Sequence, residues 1–130
     1  MSRRAITGDV APLSAYSPAV KVDAGSMVFV SGQVALGSDG TVVGEGDAEA
    51  QARVCFESVA RLLVAAGGSL ADVVKTTVYL REMNDLPAVR AARDSQPWAV
   101  PPATTAVAVE ALVDERLLVE IDAVAVIGGA

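Results

Sequence analysis

The hydrophobic repeat of this chain changes at Gly46-Asp47, and no other feature limits the possible folds as much. Before that point the apolar residues fall in short β-rich runs: Ala19–Val22, then Met27-Val28-Phe29-Val30-Ser31-Gly32-Gln33, which stops at a glycine. Ser38-Asp39-Gly40 carries a hairpin turn signal, with Thr41-Val42-Val43 as the return strand. After Asp47, Ala52, Cys55/Phe56, Val59, Leu62/Leu63 and Ala66 recur at three- and four-residue steps, the period of an amphipathic helix. Asp47 and Glu49 sit in its first turn, where the helix dipole favours negative charge, and Gly67-Gly68 supplies a positive-φ ending. A chain that switches repeat in this way buries both apolar faces by laying helix on sheet.

The remaining elements follow the same logic. Ser69-x-x-Asp72 caps a short turn leading into Val73–Leu80, a strand with Thr76, Val78 and Leu80 on one face. A second helix starts at Asn84-Asp85-Leu86-Pro87, with Asn84 as N-cap and proline tolerated in the first turn. Leu86, Val89 and Ala92 face inward, and Arg90 and Arg93 fall on the flank, where solvated helix arginines are the ordinary outcome. Pro97 and Pro101-Pro102 end the helix, and Trp98 between them packs as a plug. Two strands, Thr104–Ala111 and Leu117–Val126, are joined across Val113–Arg116. The expected order is β-β-β-α-β-α-β-β, an α+β fold in one domain over 1–130, with a six-stranded sheet and two helices on one face. The 24 Ala and 22 Val, with only 4% aromatic residues, suit small helix faces packed closely on β-branched strands.

Composition removes several kinds of chemistry. There is no His, which excludes Ser-His-Asp and Cys-His nucleophile systems, His-ligated metals and the usual neutral-pH base. Cys55 is alone, so no intrachain disulfide or Cys-rich zinc site can form; mid-helix beside the apolar stripe, it reads as a buried, inert thiol. The net charge is −6, and the two Lys and eight Arg are scattered, which leaves no basic face for a nucleic acid. No signal peptide or membrane-length apolar run is present, so the expectation is a cytoplasmic protein with no membrane partner. Chemistry is left to carboxylates, hydroxyls, Arg or Lys, and backbone dipoles.

Glu120 is the residue that periodicity singles out. It interrupts Leu117-Leu118-Val119-x-Ile121, and alternation puts Leu118, Glu120, Asp122, Val124 and Val126 on one face. A carboxylate among branched apolar residues is costly to bury, and burial would raise its pKa toward the range useful for general acid–base work. The alternative is a solvated face of an edge strand with both acids in water. Ser31-Gly32 ends a strand, where a glycine lets a ligand approach the backbone or simply begins a turn. Tyr16, in the loop Ser14–Pro18, either closes a pocket or caps the core.

In order and spacing, several blocks together resemble the RidA/YjgF family, also called the L-PSP endoribonuclease family. They are Ser31-Gly32-Gln33-Val34, Ala50-Gln51-Ala52-Arg53, Ala65-Ala66-Gly67-Gly68, Asp72–Leu80, Asn84-Asp85-Leu86, Pro102-Ala103-Thr104 and Val119–Val126. The resemblance implies a chorismate-mutase-like fold and a homotrimer with ligand clefts between subunits. It also implies a small-molecule metabolite as partner: deaminase-type members hydrolyse enamines and imines such as 2-aminoacrylate to a 2-keto acid and ammonia, without metal or organic cofactor. In those members an Arg clamps the substrate carboxylate, a Glu on the last strand handles water or proton, and a loop Tyr and strand-end Ser-Gly complete the pocket. Carried over, these roles fall on Glu120, Tyr16, Ser31 and Gly32.

The Arg does not carry over. Its position is Thr104, followed by Thr105, and the position often occupied by Cys is Ala106. A threonine hydroxyl offers one neutral hydrogen bond of about 1 kcal/mol, against about 1.5–3 for each bond to a charged group. Three functions follow, in order of support. The first is an enzyme of altered substrate that uses Glu120, with Thr104 and Thr105 or a displaced Arg90 or Arg93 in place of the clamp. The second is a non-catalytic trimeric binding module. The third is RNA cleavage, which the absent His and the acidic balance disfavour most.

Overall fold

The computed structural model of the chain describes residues 3–9 and 15–128; Ser14 of the expected loop lies outside them. Six strands and two helices run in the order β1 (Arg3–Ile6), β2 (Ala19–Val22), β3 (Ser26–Val34), α1 (Ala48–Ala65), β4 (Val73–Leu80), α2 (Leu86–Asp94), β5 (Ala103–Ala108) and β6 (Val119–Ile127). The α+β class and two-helix layer are as expected, but the six strands do not form one sheet. β1 and β2 make a separate antiparallel ribbon, and the main sheet has four strands in the order β3-β6-β4-β5. β6 runs antiparallel to both β3 and β4, while β4 and β5, joined through α2, are parallel.

Three local expectations are corrected. Thr41–Val43 is not a strand: the Ser38–Gly40 turn forms, but its return arm makes only the bridge Leu36↔Val42. Gly44 and Gly46, both at positive φ, then swing the chain into α1. The first strand is instead Arg3–Ile6, mostly exposed and without the alternation that marks a buried strand. Its Arg3 guanidinium donates to Ala71 O, Asp72 Oδ1 and Val126 O, tying the ribbon to the main sheet. Strand ends also shift. β5 stops at Ala108 because its partner β4 stops at Leu80, and Leu117-Leu118 precede β6 because a side chain, not a strand, takes the Leu118 N–H.

α1 starts where its sequence says it should: Asp47 Oδ1 accepts from Ala50 N–H at 3.0 Å, and Gly67 at φ +91° follows its end. Ala52, Cys55, Phe56, Val59 and Leu63 of its apolar stripe are buried, whereas Leu62 is exposed. The stripe packs on β3 and β6, where Val119, Ile121, Ala123 and Ala125 form the buried face. Full burial of such branched side chains contributes about 1.5–3 kcal/mol each. Trp98 plugs the end of this core, edge-on to Phe56 with ring centroids 5.8 Å apart, its Nε1–H donated to Arg93 O. Ser69 and Asp72 form the expected capping box. α2 begins one residue later than Asn84 as N-cap suggests: Met83–Asp85 is a 3-10 turn, and no side chain caps the helix at Leu86.

The helices cover one face of the sheet. The other carries Met27 and Phe29, 60% and 73% exposed, together with Lys75, Thr77, Tyr79, Glu120 and Asp122. Among the described residues no helix is long and apolar enough to cross a membrane.

Candidate functional site

Glu120 lies in the middle of β6, opposite Val34 of β3 on one side and Tyr79 of β4 on the other. β6 is a central strand, which removes the edge-strand premise of a freely solvated carboxylate; the residue is half-buried. Among the described residues, nothing hydrogen-bonds or ion-pairs with its carboxylate. Asp122, two residues on, is engaged: it accepts from Tyr79 Oη at 3.0 Å and Thr77 N at 3.2 Å. That hydrogen bond, and then the charge of Asp122, push the Tyr79 hydroxyl up from its ordinary pKa. The Cys55 thiol, behind Glu120 in the core, is pushed up to about 12 by burial first and by the Glu120 charge second, which makes it inert.

Ser31 and Gly32 do not end their strand but form a bulge within it. The pairing runs Val30↔Ala123 and then Gln33↔Ile121, so two residues of β3 oppose one of β6. The bulge brings Gly32 against Glu120: a Cβ at Gly32 would stand 2.6 Å from Glu120 Cδ and 2.9 Å from Cγ. Only a residue without a side chain leaves the carboxyl where it is. Because the colliding atoms are the far end of a flexible side chain, and Gly32 is not at positive φ, Gly32→Ala is expected to displace Glu120 rather than unfold the chain. Unfolding free energy should stay within about 1 kcal/mol of the parent while the Glu120 carboxyl carbon resonance moves. An unmoved resonance would refute the contact.

The other candidate residues gather on the opposite face of the sheet. A cleft of about 190 Å³ between α2 and the β4–β5 pair is lined by Tyr16, Val78, Leu86, Val89, Arg90, Arg93, Thr104 and Ala106. Tyr16 is held there because Ser17 bridges to Ala103 and its N–H donates to Pro102 O at 3.3 Å. Thr105 is not in the cleft. Strand alternation turns it to the uncovered face, where its Oγ1 accepts from Lys75 Nζ at 3.0 Å. Partial burial holds that Lys75 ammonium below its usual pKa, with Asp122 opposing the shift. Thr104 does line the cleft, but its hydroxyl lies 2.6 Å from Thr76 Oγ1 and donates to Thr76 O at 3.3 Å.

The sequence leaves the two helix arginines on the flank, either solvated or standing in for the missing clamp. Arg93 is instead 6% exposed, ion-paired with Asp94 at 3.0 Å, and Arg90 lines the cleft beside it. The signal was present: Leu86, Val89, Arg90 and Arg93 follow one another at helical spacing, so both arginines continue the inward stripe. Among the described residues no three acidic or sulfur side chains converge as a metal site.

Two helices on a four-stranded sheet, with a bulge that sets a glycine against a carboxylate and a small arginine-bearing cleft on the other face, define the class as α+β. A family model described as Endoribonuclease L-PSP matches residues 7–127. The chain is 39% identical over 128 residues to Protein DfrA of Myxococcus xanthus, covering 97% of each. It is 38% identical over 117 residues to the 2-iminobutanoate/2-iminopropanoate deaminase of Salmonella typhimurium, covering 87% of this chain and 90% of that one. The crystal structure of YyfB, a conserved Rid family protein of Yersinia pestis, superimposes with a TM-score of 0.85 at 30% identity, covering 98% of this chain and all of that one. The chain belongs to the RidA/YjgF family.

Proposed function

We propose that this protein is a cofactor-independent hydrolase of small reactive enamines or imines, with Glu120 as its acid–base group, and that it works as a homotrimer with clefts between subunits. The observation that carries the reading is the Glu120 carboxylate, without a polar partner among the described residues, set against the bare backbone of Gly32 in a central strand. The names of relatives as imine and enamine deaminases support the reaction class. An enamine takes a proton on its β-carbon, water adds to the carbon bearing nitrogen, and ammonia leaves behind a carbonyl. Glu120 can deliver the first proton as an acid and take one from water as a carboxylate, so the sequence balances without an oxidant or metal.

Assembly belongs to the proposal because of where the groups sit. Within one chain the sheet separates Glu120 from the cleft of Tyr16, Thr104 and Ala106. They act on one molecule only if the Glu120 face of one copy closes on the cleft of another. The exposed Phe29 and Met27 on the Glu120 face support such a closure. Ser31 and Gly32 would then border the reacting atoms, and Tyr16 would close the far wall.

Thr104, where deaminase-type members carry Arg, favours the second reading, a non-catalytic trimer that keeps the cleft. One assay separates the two. Small enamines, including 2-aminoacrylate released by a dehydratase, are followed by ammonia and keto-acid formation, with the mass in solution measured alongside. Accelerated release by a species of three times the chain mass upholds the enzyme. On 2-aminoacrylate itself the rate should lie at least about tenfold below that of Arg-bearing relatives, the loss of one charge-assisted contact. No acceleration on any enamine leaves the binding module.

A further inference from the structure

We propose that Arg90, on α2, is the carboxylate-binding cation of this chain, replacing from the helix wall of the cleft the positive group that β5 lacks. The inference rests on the functional reading above and names its substrate class: small carboxylate-bearing enamines or imines. The structure removes the hydroxyl substitutes in turn. Thr105 faces the other side of the sheet and is held by Lys75. The Thr104 proton is engaged at Thr76, by hydroxyl or carbonyl. Two guanidinium groups remain on the lining. Arg93 is buried and neutralised by Asp94, with which its Nε also bonds at 3.0 Å. Arg90 is half-buried and, among the described residues, has neither ion pair nor hydrogen bond.

Charge bookkeeping points the same way. The chain carries 16 acidic against 10 basic residues, yet among the described residues no acidic side chain lines this cleft. A low-dielectric wall of Val78, Leu86, Val89 and Ala106 strengthens whatever field the arginines produce. The volume of about 190 Å³ holds about six waters, enough for a three- or four-carbon carboxylate. Because the anion is drawn to α2 rather than to β5, a 2-imino acid bound here has its reacting carbon shifted relative to the strand-clamped pose. Carboxylates bind, and 2-aminoacrylate turns over slowly.

The test measures binding without turnover. Pyruvate and its neutral amide are titrated into the parent protein, Arg90→Ala, Arg90→Lys and Arg93→Ala, by backbone amide NMR at two salt concentrations. The proposal expects pyruvate to perturb residues around Thr104 and Ala106, to bind more weakly at higher salt, and to lose at least about tenfold in affinity in Arg90→Ala. Arg90→Lys should recover part of it, because a point charge replaces the planar fork. Amide binding should not change in Arg90→Ala. Equal pyruvate affinity in Arg90→Ala, or loss only in Arg93→Ala, overturns the proposal; Arg90→Lys serves in place of Arg90→Ala if the latter does not fold. A protein that binds pyruvate through Arg90 but hydrolyses no enamine upholds this inference and refutes the enzyme.

Discussion

Glu120→Gln is expected, on the proposed function, to lower enamine hydrolysis by a factor of about 10²–10⁴, the usual contribution of one positioned acid–base group, with no loss of fold and no change in the mass measured in solution. The substitution is nearly isosteric, and among the described residues the carboxylate supports no hydrogen bond that the fold would miss. Replacing a half-buried charge by a neutral amide removes a desolvation cost, so stability should hold or rise slightly. On the proposed reading the loss should fall on kcat, since Arg90 and the cleft walls, not Glu120, would hold the substrate. A variant that keeps its rate would move the chemistry elsewhere. One that loses rate and melting temperature together would make Glu120 a structural residue.

Gln51→Ala should produce the opposite pattern, a large stability loss. Gln51 is completely buried, and its amide holds three backbone groups: Nε2 donates to Gly44 O at 3.2 Å and Arg116 O at 3.1 Å, and Oε1 accepts from Leu118 N at 2.8 Å. The side chain thus fastens the entry of α1, the turn before it and the approach to β6 at one point. Removing it strands the Leu118 N–H and the Arg116 carbonyl, at about 1–3 kcal/mol for each left dry, while Gly44 O keeps the Asp47 N–H at 2.9 Å. With water reaching some of them, we expect a net loss of about 2–4 kcal/mol, a large part of the total for a domain of this size. Urea or thermal unfolding reads it directly. A change below about 1 kcal/mol would mean that these groups rehydrate freely. Any fall in activity should be restored by conditions that restabilise the fold, which would not rescue Glu120→Gln.

The sequence carried the local half of this structure. The three- and four-residue steps of α1, the Asp47 cap, the Ser69–Asp72 box and the alternation of residues 119–126 are set by neighbours in the chain. Glu120 stood out because a charge in a branched apolar strand needs a reason. What pairing decides was not legible. Nothing local says that residues 119–127 lie between β3 and β4, or that Thr105 and Glu120 share a face while Thr104 turns away. β1 escaped because its residues are mostly exposed and it owes its place to the partners of the Arg3 guanidinium. The Ser31-Gly32 bulge looks like a terminus in the sequence because a bulge and a strand end share the same glycine.

The position of β6 has a consequence for biosynthesis. Its nearest neighbours, β3 and β4, are made long before it, and they cannot touch each other because the space between them belongs to residues 119–127. Until that stretch has been made, the edges of β3 and β4 that face it have no strand to pair with, and the non-local contacts that close the sheet wait for it. The strand that finally fills the gap is the one bearing Glu120. On the functional reading above, the reactive carboxyl and the finished sheet therefore arrive in a single step, so a partly made chain has neither.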